Sequence, residues 1–395
     1  MRRVDFLVAP GDGTAAVYRR YRAGEPVLWE PSVQMYCVFR FADIRTCLTS
    51  PDFTVEYPFR VSRTVFGRTL LDVDGPWHVR GRRLLTGLLR GRIENLPFAD
   101  IVDAEVDRAV DALADAHHVD FVERVARPLP TAVTAAFLGI APEHRARIFS
   151  HLDYLLDHLD GSSREFATAI ELRREIEAVV RRMLHDGGAE PGTVIGRLTP
   201  AVRSGEVGVP DAIGLVLLVL AAGVETSSGM LANTMAAFGR FPGWAAPAAA
   251  DPEVMRRFVR EVLRFDPPQT ETVRFARVDT RLAGVPIAAG SALKLVLSSG
   301  NRDETVFADG DRFDPARTER ASLSFGHGPH SCLGLPLATG LATTFFTAFF
   351  RRFPRARSDD PVPPAEGSTF RRPATLPTTL EPPGGRGRAA EETRS

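Results

Sequence analysis

The stretch Phe325-Gly326-His327-Gly328-Pro329-His330-Ser331-Cys332-Leu333-Gly334 gathers one thiol and two imidazoles on a backbone bent by three glycines and a proline. That density presets a tight loop, because glycine reaches positive φ freely and proline fixes its own φ. The apolar run from Leu337 to Phe350 predicts a helix, with Pro336 in its first turn, where a missing N–H costs little. Cys332 therefore stands just ahead of a helix N-terminus. A thiolate there is stabilised by the helix dipole and by backbone N–H donors, and those donors also tune any metal it ligates. On these residues alone, a buried structural thiol in a glycine-rich turn remains the other reading.

A second concentration of chemistry is Ala222-Gly223-Val224-Glu225-Thr226-Ser227. It lies in the middle of Asp211 to Phe238, which reads as one helix, apolar around most of its circumference. At ~1.5 Å per residue such a helix crosses most of a domain. A carboxylate in so apolar a stretch is costly unless it is paired or functional. Glycine there costs ~1 kcal/mol relative to alanine unless something must approach the backbone. The alternative makes Glu225 a solvent-facing residue and Thr226 a hydroxyl bonded back to its own helix.

Two side-chain pairs complete the chemical inventory. His78 and Arg82 are four apart and can face one group; Glu261 and Arg264 are three apart and share a helix face. The second pair lies in a helix that Asp251 caps, that Pro252 opens and that ends near Phe265. An exposed pair of that kind stabilises little.

The elements that must position these groups are mainly helical. Residues 33–58 carry β-type patches such as Met35-Tyr36-Cys37-Val38-Phe39. Residues 76–260 read as helices with breaks at Pro128, Gly139 to Pro142 and Gly187-Gly188, and residues 273–297 return to short strands. The chain has 395 residues, 44% hydrophobic and 25% charged, which is ordinary globular composition. Lys+Arg and Asp+Glu are both 49, so charge gives no reason to expect a nucleic acid or an anionic membrane as partner. Lys294 is the only lysine. The three cysteines do not look like a disulfide framework, and the N-terminus lacks the apolar core of a secretory signal. The apolar run Ala212 to Val224 stops at Glu225, short of the roughly 20 residues of a membrane span. These features predict a cytoplasmic protein with no membrane and no nucleic-acid partner. They also predict one domain over 1–380 and a disordered tail over 381–395.

The cysteine loop resembles the haem-binding loop of cytochromes P450, Phe-Gly-x-Gly-x-His-x-Cys-x-Gly, at every fixed position. Three further segments, in order and at fitting distances, resemble the same family, so the likeness runs from about residue 10 to 380. It implies a mainly α fold with minor β-sheet, in which haem b (iron protoporphyrin IX) lies between the long central helix and the cysteine loop. Cys332 would be the axial iron ligand, with Phe325 and Gly326 in the loop and Gly223 in the oxygen-binding groove. Thr226 and Glu225 would deliver protons to iron-bound dioxygen. His78, Arg82, Arg274 and His330 would hold the haem propionates. Glu261 and Arg264 match the family's Glu-x-x-Arg, which locks to a downstream arginine, Arg317 or Arg312. Asn301-Arg302-Asp303 reads as structural.

The resemblance implies a monooxygenase that hydroxylates or epoxidises a small apolar molecule, a terpenoid or polyketide intermediate of secondary metabolism. Electrons would come from ferredoxin and ferredoxin reductase, since the chain is too short for a fused reductase, and the protein would act as a monomer. Arg80, Arg83, Arg90 and Arg92 would form the docking face. Rivals are the same chemistry ending in desaturation, cyclisation or rearrangement, and a haem-binding sensor without turnover. The pocket would be lined around Tyr57 to Leu71 (Phe59, Val65, Phe66 and Leu70 among them), Leu218 to Ala222 and Pro268 to Val273. Gln269, Thr270 and Thr272 are its candidate polar contacts, and Arg60, Arg63 and Arg68 a candidate carboxylate site, although such arginines more often face solvent. Thr339 departs from the family's usual arginine, and Pro329 and Ser331 replace bulkier apolar residues.

Overall fold

The computed structural model describes residues 14–57, 60–89, 99–158, 166–367 and 369–381. Phe59, Arg90, Arg92 and nearly all of the expected tail lie outside the described residues.

The chain opens with helix α1 (Thr14–Gly24), strands β1 (Val27–Glu30) and β2 (Met35–Val38), α2 (Phe41–Thr49) and β3 (Phe53–Thr54). The expected β-rich stretch is therefore interrupted by a helix. Next come α3 (Val61–Phe66), α4 (Gly75–Leu89), α5 (Ala99–Asp111), β4 (His118–Asp120) and α6 (Pro128–Leu138). Pro128 does not break the helical path as expected, because α6 follows the π-helical turn Val122–Ala126 directly. The missing proline N–H falls at that junction, where it breaks no established ladder. Gly139 ends α6 in the left-handed region, φ 77°, and its N–H returns to Ala136 O.

Helices α7 (Pro142–Asp157), α8 (Phe166–Asp186) and α9 (Val194–Arg203) lead into α10 (Val209–Arg240). Then come α11 (Ala245–Ala250) and α12 (Pro252–Phe265), whose cap is the expected one: Asp251 accepts from the Glu253 N–H. Strands β5 (Thr272–Ala276), β6 (Thr280–Leu282), β7 (Val285–Ile287) and β8 (Ala292–Leu295) precede the single turn α13 (Leu297–Gly300). The last helix is α14 (Leu335–Arg352), followed by β9 (Arg357–Ser358) and β10 (Pro377–Thr379).

The larger sheet has the order β1-β2-β8-β5-β3 and is antiparallel except between β2 and β8. The smaller ones are β4-β10-β9 and the β6–β7 hairpin. Helix α10 has 32 residues and spans ~48 Å. Among the described residues it is the one helix long and apolar enough to cross a bilayer, yet most of it is buried inside the fold. From Ser227 to Phe238 every residue is buried, which is why that stretch carries no charge. An aromatic core pins it to α14: Phe238 stacks on Phe258 of α12 at 3.9 Å and meets Phe350 edge-on at 4.7 Å. Such pairs add about 0.5–1.5 kcal/mol each beyond their buried area.

Candidate functional site

The cysteine loop is a set of backbone turns in which glycines stand at the left-handed positions. Gly326 and Gly328 have φ of 65° and 71°, and a Cβ on Gly328 would stand 2.7 Å from the Leu48 carbonyl oxygen of α2. The loop is closed by Cys332 N donating to Phe325 O at 2.8 Å and Gly326 N donating to Leu323 O at 2.8 Å. Behind it, Asn301 accepts from Leu323 N at 2.7 Å and donates to Ser324 at 2.8 Å. Asp303 accepts from Phe41 N at 2.8 Å, so the expected structural triplet ties α2, α13 and the loop together.

Cys332 is exposed, and what it is exposed to is a cavity of about 290 Å³. Burial within the protein pushes its thiol up, while the N–H groups of Gly334 and Leu335 and the charge of Arg82 oppose that rise. The helix-end donors expected from the sequence are therefore present. Phe325, Gly326, Ser331 and Gly334 line the same cavity.

Ala222, Gly223 and Thr226 of α10 line this cavity too. Thr226 donates to Ala222 O at 2.7 Å, the back-bond that the alternative reading describes, so its hydroxyl reaches the cavity as an acceptor until that bond exchanges. Gly223 is small for a reason the sequence does not reveal. A Cβ there would stand 2.8 Å from Oγ1 of Thr134 on α6, so the glycine lets a neighbouring helix approach. Glu225 is not among the lining residues; its carboxylate is half-buried and accepts from Arg372 Nε at 3.3 Å.

Cations gather at one edge. Arg82, Arg274 and His330 line the cavity. Burial lowers Arg82, and burial with nearby Arg60 pushes Arg274 down to about 10. His78 is buried and stacks on His330 with centroids 4.1 Å apart. Burial, His330 and Arg82 push it down to about 4, and its Nε2 has no hydrogen-bond partner among the described residues. Sequence reasoning missed Asp74 as an organiser. Its Oδ1 binds His330 Nε2 at 2.7 Å, and Thr54 and Arg277 bind its other oxygen. Burial raises the Asp74 carboxyl, but the bonds from His330 and Thr54 outweigh that and hold it well below the ordinary carboxylate range.

The Glu261–Arg264 pair is buried, not a surface pair, with side chains 5% and 3% exposed. Arg264 donates to both Glu261 oxygens and to the carbonyls of Asn301, Gly310 and Arg312. Of the two candidate partners, Arg317 is the one whose side chain reaches Glu261, at 3.6 Å. Arg312 contributes only its carbonyl, and its guanidinium pairs with Asp314.

The cavity wall differs from expectation in places. Leu70, Leu218, Pro268, Gln269 and Thr272 line it, whereas Val65 and Phe66 are packed in the core. Thr270 is buried and turned to Thr369 O. The three arginines of the 60s do not form a carboxylate site. Arg60 is tied to Asp72 and to the Val55 and Leu71 carbonyls, Arg68 pairs with Asp211 at 3.4 Å, and Arg63 is exposed. None of the three lines the cavity. Thr339 is half-buried and bonds back to Leu335 O.

Residues 248–378 match the family described as Cytochrome P450. The chain is 30% identical over 353 residues to the erythromycin C-12 hydroxylase of Saccharopolyspora erythraea, covering 86% of this chain and 87% of that one. It is 31% identical over 341 residues to the mycinamicin VIII C21 methyl hydroxylase of Micromonospora griseorubida, with coverage of 84% and 85%. Among solved structures, ligand-free CYP164A2 of Mycobacterium smegmatis superposes with a TM-score of 0.84 at 28% identity, over 96% of this chain and 100% of that one. Likeness at that identity along most of the chain, on a mainly helical frame with the matching loop, shows that this protein belongs to the cytochrome P450 family of haem-iron monooxygenases.

Proposed function

We propose that this chain hydroxylates or epoxidises a small apolar secondary-metabolite intermediate, with Cys332 as the axial ligand of haem b. The observation that carries the reading is one cavity shared by a single accessible thiol, the small-residue turn of α10 and an edge where buried Arg274 meets the half-buried Arg82 and His330. The cation edge fits a dianionic macrocycle. His78 holds a buried nitrogen without a partner, and Arg82, Arg274 and His330 offer further donors beside it. When bound, the haem iron supplies dioxygen activation, helped by electron density from the thiolate.

The chain's own residues supply the rest. Phe325 and Gly326 fix the loop that presents Cys332. Gly223 keeps α10 close to α6, and Thr226 stands at the cavity face to pass protons inward, with Glu225 as their source from solvent. Leu70, Leu218 and Pro268 exclude water from the substrate side. Gln269 donates one amide hydrogen to Glu271 O, which leaves its carbonyl oxygen and its second amide hydrogen for a substrate, beside the Thr272 hydroxyl. That two relatives are named hydroxylases of erythromycin and mycinamicin supports a polyketide over a terpenoid.

In this reading residues 1–380 act as one domain, in the cytoplasm, as a monomer. Ferredoxin and its reductase supply the electrons. Arg80 and Arg83 are exposed on α4 without an ion-pair partner among the described residues, which suits an acidic donor.

The test is a titration of the ferric protein with polyketide, terpenoid and fatty-acid compounds, following the Soret band. A shift to shorter wavelength with polyketides is the expected result, and a response confined to another class overturns the substrate assignment. Thr226→Ala is expected to keep that binding response. It should divert most of the consumed electrons to peroxide, a loss of coupling of about tenfold or more. Unchanged coupling removes Thr226 from proton delivery.

A further inference from the structure

Lys294 is the only lysine of the chain; every other one of the 49 Lys+Arg residues is an arginine. The fold sets this one ammonium inside the larger sheet, on its middle strand β8, between Cys37 of β2 and Val273 of β5. A charge in that place is costly unless it is paired. Its Nζ donates to Oε1 of Glu271 at 2.7 Å, and each side chain is 11% exposed. Oγ1 of Thr369 donates to the same Oε1 at 3.0 Å. Two donors on a single carboxylate oxygen suit a compact ammonium, whereas a guanidinium is a planar fork matched to two oxygens. Glu271 stands within the wall segment but does not line the cavity. Gln269 and Thr272 line it on either side, and Glu271 O accepts from the Gln269 amide at 3.2 Å. The side chains of Thr270 and Glu271 turn the other way, to Thr369 O and to Lys294. Among the described residues the Lys294 contact is the only ion pair made from residues 267–273.

We propose that Lys294 and Glu271 are positioning residues for substrate recognition: their buried pair fixes the direction in which Gln269 and Thr272 present polar groups to the substrate. This rests on the reading that those two side chains meet the substrate. The Glu271 carboxylate is held by β8 on one side and by the segment of Thr369 on the other. The Gln269 amide is tied to the Glu271 carbonyl, so its free carbonyl oxygen and second amide hydrogen take their direction from where Glu271 sits. A wall of hydrogen-bonding groups discriminates between ligands only when those groups are held in place by a supporting shell. Neither Lys294 nor Glu271 lines the cavity, so the pair acts on a ligand only through that wall. The single lysine is kept where a point charge on one oxygen holds the segment in register, a place the arginine used everywhere else fills poorly.

The experiment uses the haem-loaded protein and, as probes, imidazole, 4-phenylimidazole and the three isomers of 4-phenylimidazole with one hydroxyl on the phenyl ring. All bind haem iron through the imidazole, and Soret titration gives their midpoints. The wild type should rank the hydroxyl isomers, with the tightest and the weakest about three- to tenfold apart, the range of one well-placed hydrogen bond. Lys294→Met leaves the Glu271 carboxylate buried without its cation and should lower the thermal midpoint by about 5 °C. The double variant Lys294→Met, Glu271→Met replaces the pair by apolar side chains and should bring that midpoint back to within about 3 °C of wild type. A purely structural pair would then be fully replaced. A positioning pair would not: the double variant should rank the isomers within about twofold, with imidazole itself unchanged. A double variant that regains stability and keeps the wild-type ranking overturns the proposal. If the double variant does not fold, Lys294→Arg decides, since it keeps the charge; a flattened ranking supports the positioning role and an intact one overturns it. Gln269→Ala separates this from the reading beneath it. If Gln269→Ala flattens the ranking and the Lys294 variants do not, the wall meets the ligand and the positioning role falls. If the wild type binds all isomers equally, or its ranking survives Gln269→Ala, the wall reading and the proposal fall together.

Discussion

Cys332→Ser should abolish monooxygenation, by about a thousandfold or more, while the protein still folds. Serine is nearly isosteric, and its hydroxyl can accept from the Gly334 and Leu335 N–H groups that face the thiol. The Cys332 side chain opens onto the cavity instead of filling the core, so little packing is lost. What serine lacks is a charge-donating sulfur: an alcohol stays protonated at neutral pH and is a hard, weak ligand for iron. The check is the absorption of the reduced carbon monoxide complex, whose Soret position reports the axial ligand, together with the thermal midpoint of the haem-free chain. A band lost from its thiolate position, with a midpoint within about 3 °C of wild type, is the expected pair of results. An unchanged band would remove Cys332 as the ligand. A collapsed midpoint would make it a structural thiol, the reading its sequence alone leaves open.

Arg264→Ala should have the largest effect on stability, about 3–5 kcal/mol. The guanidinium is 3% exposed and makes bonds to Glu261 and to three carbonyls from residues 301–312. Its removal leaves the Glu261 carboxylate buried with only the Asp314 N–H at 2.8 Å and the more distant Arg317. Those carbonyls belong to the segment that carries Asn301, which in turn holds the loop at Leu323 and Ser324. Loss of haem retention is therefore expected along with the fall in unfolding midpoint. Arg264→Lys should recover little, because one ammonium cannot reproduce a fork that meets two carboxylate oxygens and three carbonyls. Denaturant unfolding of both variants checks this. A change below about 1 kcal/mol for Arg264→Ala would return the pair to the surface-pair class expected from spacing alone.

The legible part of this protein was local. Glycine and proline positions in 325–336 defined a preset loop ahead of a helix, and the structure has that loop and helix α14. The cap at Asp251, the breaks at Gly139 and Gly187, and the apolar length of α10 were readable for the same reason. Each depends on backbone preferences and hydrophobic period within a few residues.

What the sequence left open depended on contacts between distant residues. Glu261 and Arg264 have the same spacing on a surface as in a core, and only the packing of residues 301–317 over α12 made them a buried network joined by Arg317 and not by the Arg312 side chain. Asp74 is 256 positions from His330 and Arg372 is 147 from Glu225, so no local pattern could announce either bond. The arginines of the 60s looked available as a carboxylate site until the fold gave Arg60 and Arg68 acidic partners and left Arg63 outside the cavity. The sequence by itself determined the loop, the helices and the family they belong to, because those follow from short-range geometry. Which charges are paired, which are buried and which face the cavity was decided by the tertiary structure, since a charge takes its partner from whatever the fold brings within a few ångströms.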